Sequence, residues 1–136
     1  MKVSLVTMEL KPISPEYRGW WRIIETSMWM KEDLDMLGPA LISFTGNGDR
    51  LRMLVLLAHV KCRQTKLGVS FTWKGAWEWD QMSGTGTVKL ANDGRLSGVI
   101  KIKYGDESTF IAERSIAPDE PIQTPPSYKD KWRRRW

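Results

Sequence analysis

The segment VSFTWKGAWEWDQMSGTGTVKLANDGRLSGVIKIKYGDESTFIAERS, residues 69–115, decides the fold. Its apolar and polar residues alternate with a period of two, the pattern of a strand with one buried and one hydrated face. In LSGVIKIKY, residues 96–104, the alternation places Ser97, Lys101 and Lys103 on one face, and on the other face it places Leu96, Gly98, Ile100, Ile102 and Tyr104. Glycine with Asn or Asp between the runs suits tight hairpin turns. The segment therefore predicts consecutive antiparallel strands.

The residues before this segment predict further strands. Runs of β-branched and apolar residues fall at 3–10, 18–30, 40–46 and 50–64. Residues 31–39, KEDLDMLGP, begin with acids and end in Gly-Pro, which suits one or two helical turns. About eight strands joined by tight turns favour an up-and-down barrel over a sandwich, because closure removes the sheet edges. We expect an all-β, calycin-like antiparallel barrel with a short helical cap.

Length and composition bound the class of protein. The chain has 136 residues, 41% hydrophobic and 27% charged, which fits one globular domain, and no apolar run approaches the roughly 20 residues that cross a bilayer. We expect residues 1–116 to form the domain and residues 117–136, which are rich in proline at first, to form an extended or mobile tail. A single cysteine, Cys62, allows no internal disulfide and favours a cytoplasmic location without a membrane.

Three residues near the two ends of the predicted sheet carry a family resemblance. GWWRI opens the first long strand, and Arg114 lies in FIAERS, the last strand. This resembles the signature of the calycins, the lipocalin-like barrels, in which a basic side chain from the final strand packs on a Gly-x-Trp of the first. The resemblance implies that Gly19, Trp21 and Arg114 form a structural lock, and stacking a guanidinium on an indole is worth roughly 0.5 to 2 kcal/mol. Trp20 is an alternative partner for Arg114.

A longer resemblance covers the chain from Trp20 to Arg114. VSFTWKG, DGRLSGVI and GDESTFIAER occur in this order. The series is similar to an FTWEG-like strand, a DG.L.G.I hairpin and a GD.S.F.A.R terminus in a group of small bacterial proteins of uncharacterised function. It implies a barrel and no particular activity, and the aromatic and basic C-terminal end is not part of its pattern.

No residue constellation in the sequence indicates catalysis, a metal or a cofactor. His59 is the only histidine, and its spacing to Cys62 puts the two side chains on opposite faces of a strand. Three acid pairs fall in or beside predicted turns or the cap: Glu78/Asp80, Asp106/Glu107 and Asp33/Asp35. General acid and base chemistry requires carboxyl groups in contrasting environments around a cleft, so we interpret these pairs as solvated turn residues.

The aromatic residues bear on whether the barrel is filled or open. Trp73 continues the face of Phe71 and is predicted to be core, and Trp77 and Trp79 share its parity unless Gly75 introduces a bulge. Many indoles inside would leave little room for a ligand. If the interior is open, the residues expected to line it and contact an apolar ligand are Phe71, Trp73, Ile100, Ile102 and Tyr104. Gly86 and Gly98, inside strands, suit bends or bulges.

The run MLVLLA, residues 53–58, is apolar at six consecutive positions inside the strand predicted over 50–64. A strand with one hydrated face should alternate instead, so the outside of this strand must be covered. The N-terminal segment, the tail or a second copy of the chain could cover it. A homodimer through the 53–58 strand is therefore one expectation.

The C-terminal end combines aromatic and basic residues in a chain of net charge +5. A polyanion-binding tail would comprise Lys129, Lys131, Trp132, Arg133, Arg134, Arg135 and Trp136. A solubilising tail is the simpler interpretation. We interpret the protein as a non-catalytic barrel that binds or interacts with a partner, and another protein is one candidate partner. The alternatives are an intracellular carrier of a small apolar ligand inside the barrel, and binding of nucleic acid or an acidic partner through the tail.

Overall fold

The computed structural model describes residues 12–122 and shows a closed antiparallel β-barrel. Each strand pairs with its sequence neighbours, and β8 pairs with β1 to close the sheet. The strands are β1 (Gly19–Thr26), β2 (Leu41–Phe44), β3 (Asp49–Met53), β4 (Leu56–Gln64), β5 (Val69–Trp77), β6 (Asp80–Leu90), β7 (Leu96–Ile102) and β8 (Glu107–Ser115). The predicted all-β up-and-down barrel of eight strands is confirmed.

The apolar run 53–58 forms a hairpin rather than part of one long strand. β3 ends at Met53, Leu54 takes a φ of 58° in the turn, and β4 begins at Leu56. Both faces of a hairpin turn can be buried, and here the Leu54 N–H donates to the Leu34 carbonyl of the cap at 2.9 Å. The single strand predicted over 50–64 is therefore wrong, and the run no longer argues for a dimer. The strand predicted over 3–10 lies outside the described residues.

The helical cap is one turn long, the lower end of the one or two turns predicted. Within 31–39, the only helix is a single 3-10 turn, Lys31–Asp33. Leu34 follows this turn and is 1% exposed, so it plugs the barrel at the end where β1 leads to β2. We call this the cap end. It also carries the β3–β4, β5–β6 and β7–β8 turns, because those connections follow odd-numbered strands.

Aromatic rings fill the interior opposite glycines. Gly86 on β6 pairs with Phe71 on β5, and Gly98 on β7 pairs with Phe110 on β8. A Cβ placed at Gly86 would lie 2.2 Å from the Phe71 ring, and one at Gly98 would lie 2.6 Å from the Phe110 ring. The strand registers continue through both glycines without a shift, so neither marks a bulge. The two glycines make room for the rings.

Tyr104 does not line the interior, which corrects the prediction. Phe71, Trp73 and Ile100 are buried and Ile102 is half-buried, but Tyr104 is 97% exposed. The alternation holds only while the strand continues, and β7 ends at Ile102. Tyr104 lies in the following turn with a φ of 61°.

The three tryptophans in and just after β5 differ in burial. Trp73 lies in the core, and Trp77 is half-buried and packs against Trp29 of the cap segment with ring centroids 5.9 Å apart. Trp79 follows the end of β5 and is 91% exposed. The register between β5 and β6 passes through Gly75 without a bulge. Trp79 is exposed because β5 ends before it, and not because a bulge turns it to the other face of the strand.

Candidate functional site

Arg114 packs on Trp21, the partner that the calycin resemblance implies, rather than on Trp20. Its guanidinium carbon lies 4.0 Å from the centroid of the Trp21 ring. Gly19 has a φ of +119°, and a Cβ there would lie 3.1 Å from Arg114 Nη1. Glycine therefore provides both the backbone conformation and the space for the guanidinium. The structure brings Gly19, Trp21 and Arg114 together.

The same guanidinium ties β8 to the segment before β1. Arg114 Nη1 donates to the Arg18 carbonyl at 2.6 Å, and Nη2 donates to the Glu16 carbonyl at 2.8 Å. The Trp21 indole N–H donates to the Tyr17 carbonyl at 2.9 Å. These contacts hold the 14–18 turn across the end of the barrel opposite the cap. They indicate a stabilising role and no chemistry.

Cys62 is held as a thiol inside the barrel wall. Its Sγ donates to Asp49 Oδ2 at 3.3 Å. Burial, followed by the charge of Asp49 and the hydrogen bond to it, raises the pKa of Cys62 from 9.0 to about 12. A thiolate is the form that attacks electrophiles and binds metals, so this environment suppresses both reactions. His59 pairs with Lys74 on the outer face, away from the interior side of Cys62.

The acid pairs do not converge on a cleft. The six carboxylate residues are all exposed, and they lie in the cap or in and directly beside the β5–β6 and β7–β8 turns: Glu78, Asp80, Asp106, Glu107, Asp33 and Asp35. Asp35 forms an ion pair with Arg22. None of the pairs has the contrasting environments that acid and base roles require.

A row of cations and hydroxyls crosses the outer face of β4 to β7. In successive register positions, Lys61 on β4 pairs with Thr72 on β5, Thr72 with Thr85 on β6, and Thr85 with Lys101 on β7. Side chains at paired positions point to the same face of a sheet, so these four residues form one line on the outer surface. Three strand spacings of about 4.8 Å put the two lysine backbones about 14 Å apart.

Neighbouring rows extend this surface on both sides. Arg63, Ser70, Thr87 and the apolar Val99 form the row toward the end opposite the cap. Lys74 and Ser83 form the row toward the cap, and the Lys103 N–H donates to the Ser83 carbonyl at 2.8 Å. The whole surface, which we call the outer groove, has cations at its two edges, one cation within it and short hydroxyl side chains as its floor. Its members are Lys61, Arg63, Ser70, Thr72, Lys74, Ser83, Thr85, Thr87, Lys101 and Lys103.

The outer groove is a measurable depression. One part, lined by Lys61, Arg63 and Lys101 among others, has a volume of about 690 Å³. An adjoining part of about 520 Å³ is lined by Lys74 and Lys103, and the two parts share Thr72, Thr85 and Lys101. Long side chains on β4 and β7, with hydroxyl side chains on β5 and β6 between them, produce most of this shape. One carboxylate, Glu107, also lines the groove, at the β8 edge where it pairs with Lys101.

The cations of the outer groove lie close enough to affect each other. The pKa of Lys74 is lowered from its ordinary value by burial, and then by the positive charges of Lys61 and Lys103. A bound anion would relieve this repulsion. The electrostatics therefore favour an anionic ligand at the centre of the groove.

Sequence reasoning missed the outer groove as a site. Alternation alone places Lys101 and Lys103 on a hydrated face, and Lys61 and Arg63 share a parity on β4. Alternation does not give the strand register, which brings Lys61 on β4 and Lys101 on β7 onto the same surface although they are forty residues apart in the chain. The predicted polyanion-binding residues of the tail, from Lys129 to Trp136, lie outside the described residues. At its described start the tail is not wholly exposed, because Ile122 is buried.

Within residues 12–122, no helix is long and apolar enough to cross a membrane. Among the same residues, no group of three or more His, Cys, Asp or Glu side chains is arranged to hold a metal ion. In comparisons with known proteins, no protein-family model, no curated protein and no solved structure matches the chain.

Proposed function

We propose that the protein is a non-catalytic binding protein that holds a polyanionic ligand in the outer groove. One observation carries the proposal: five cations surround a floor rich in hydroxyls, and Glu107, at the edge, is the single acid among the described residues that line the groove. The cations are Lys61, Arg63, Lys74, Lys101 and Lys103. Lysine and arginine attract anions over a long range, and hydroxyls donate hydrogen bonds to anionic oxygens. The groove offers both kinds of interaction on one surface.

The packed interior favours this surface over the carrier alternative. A carrier needs an open barrel, whereas the Phe71 and Phe110 rings occupy the space opposite glycines and Trp73 is 1% exposed. The exposed acid pairs and the protonated thiol of Cys62 support a binding role rather than an enzymatic one. Membership of the calycin superfamily is likewise our proposal, and the stacking of Arg114 on Trp21 supports it.

The test is binding of inorganic polyphosphate by the full chain at two salt concentrations. We expect Lys61→Glu combined with Lys101→Glu to weaken binding by at least tenfold, because the reversals put negative charges on both edges of the groove. The matched control combines Lys31→Glu with Lys66→Glu, two exposed lysines of the cap and the β4–β5 turn. Both double variants change the net charge equally. Equal loss of binding in the two would show that only overall charge matters, and no loss in the first would refute the groove.

A further inference from the structure

Tyr104 presents a complete aromatic ring at the edge of the outer groove. It is 97% exposed, and Lys103, which lines the groove, has its Nζ 5.3 Å from the centroid of the Tyr104 ring. The turn is closed by hydrogen bonds between Ile102 and Asp106 and from the Gly105 N–H to the Ile102 carbonyl. The ring is therefore attached to a defined turn at the cap end of β7.

The backbone conformation of Tyr104 is unusual for a tyrosine. A φ of 61° is a conformation that glycine or asparagine adopts at lower cost than tyrosine. An exposed ring gains little from burial to offset that cost. A residue that is both strained and exposed is a candidate for a functional role, here the stacking of a planar group.

The cations of the outer groove lie on two rails, one along β4 and one along β7. Lys61 and Arg63 are two residues apart on β4, and so are Lys101 and Lys103 along β7 and its turn, which puts about 6.7 Å between the Cα atoms of each pair. Proteins that bind single-stranded nucleic acid combine cations that follow the phosphate backbone of the ligand with aromatic side chains on which its bases stack. A duplex cannot offer a base to Tyr104, because its bases are paired and stacked.

We propose that the outer groove binds single-stranded nucleic acid, with phosphates on the lysine and arginine rails and one base stacked on Tyr104. This inference rests on the proposed function and adds the ligand class. Stacking on an aromatic side chain tolerates any base, so the binding should depend little on sequence. If all five cations contact phosphates, the logarithm of affinity should fall with the logarithm of salt concentration with a slope of about −3.5.

The experiment measures anisotropy of a labelled oligothymidylate bound to the full chain, with inorganic polyphosphate as a second ligand. Asparagine tolerates the positive φ, so Tyr104→Asn removes the ring without disturbing the turn. We expect this variant to bind the oligothymidylate about fivefold more weakly or worse and to bind polyphosphate unchanged. Tyr104→Phe keeps the ring and should bind both ligands like the natural protein.

The outcomes separate this inference from the function on which it rests. An oligothymidylate affinity unchanged in Tyr104→Asn, or a duplex that binds as tightly as the single strand, would overturn the nucleic-acid assignment and leave polyanion binding standing. Polyphosphate binding that survives the Lys61→Glu and Lys101→Glu reversals would overturn both. A selective loss of the single strand in Tyr104→Asn, with polyphosphate retained, supports the assignment.

Discussion

Replacing Arg114 by alanine tests the lock that joins the last strand to the first. The substitution removes a guanidinium that lies 4.0 Å from the centroid of the buried Trp21 ring and donates two hydrogen bonds to the Arg18 and Glu16 carbonyls. Stacking contributes roughly 0.5 to 2 kcal/mol. The two hydrogen bonds would contribute about 1.5 kcal/mol or more each if buried. Since Arg114 is itself exposed to solvent, we discount them and expect a total loss of about 2 kcal/mol.

The assay is urea unfolding followed by far-ultraviolet circular dichroism, which avoids the overlapping emission of the eight tryptophans. Arg95→Ala is the matched control. That arginine makes long ion pairs, at 4.0 Å to Asp93 and 3.9 Å to Glu113, and the side chains are half-exposed. We expect it to lose no more than about 0.5 kcal/mol. Equal stability of the two variants would refute the lock, because it would mean that Arg114 acts as an ordinary surface charge.

Three further predictions follow from single sites. Gly86→Ala should lower the free energy of unfolding by about 1–3 kcal/mol, because its Cβ would lie 2.2 Å from the Phe71 ring, and adding Phe71→Leu should recover part of the loss in urea unfolding. Because the pKa of Cys62 is about 12 in the folded chain and 9.0 in the unfolded chain, alkylation by iodoacetamide at pH 8 should be on the order of a hundredfold or more slower than in urea. By the same linkage, the thiol keeps its proton only in the folded state between those values, so this group makes stability fall as the pH rises through that window, and Cys62→Ala should remove its contribution to the slope. The pKa of Lys74 is lowered, and a bound anion favours the charged form of this lysine. As the pH rises, polyphosphate affinity should therefore start to decrease at a pH below 10.5, the ordinary pKa of lysine. Lys74→Gln should flatten that part of the pH profile. An alkylation rate in urea equal to that of the folded chain would contradict the Cys62 prediction, and identical pH profiles with and without Lys74 would contradict the Lys74 prediction.

The sequence predicts the barrel because its dominant signal is local. Alternation in β5 to β8 and the glycine-containing turns between them are properties of neighbouring residues, and they suffice to indicate a meander that closes. The β3–β4 turn gives no such signal. Leu54 takes a positive φ where glycine or asparagine is usual, and the apolar run around it reads as continuous strand.

Strand ends explain the errors at Tyr104 and Trp79. Periodicity assigns a face to each residue but does not say where pairing stops. β7 pairs with β6 only as far as Ile102, and β5 ends its pairing at Trp77, so the next aromatic on each strand lies outside. The outer groove illustrates the same limit, since Lys61 and Lys101 become neighbours on one surface only through the register of three strand pairs.

The most direct test of the binding surface is amide chemical-shift mapping of the 15N-labelled full chain during titration with inorganic polyphosphate. We predict the largest shifts at Lys61, Thr72, Thr85 and Lys101, the row that crosses the outer face from β4 to β7. Residues of the opposite wall, such as Ile23 and Ile42 on β1 and β2, should not move. Shifts centred on Ile23 and Ile42, or no shifts at saturating ligand, would contradict the assignment of the groove as the binding site.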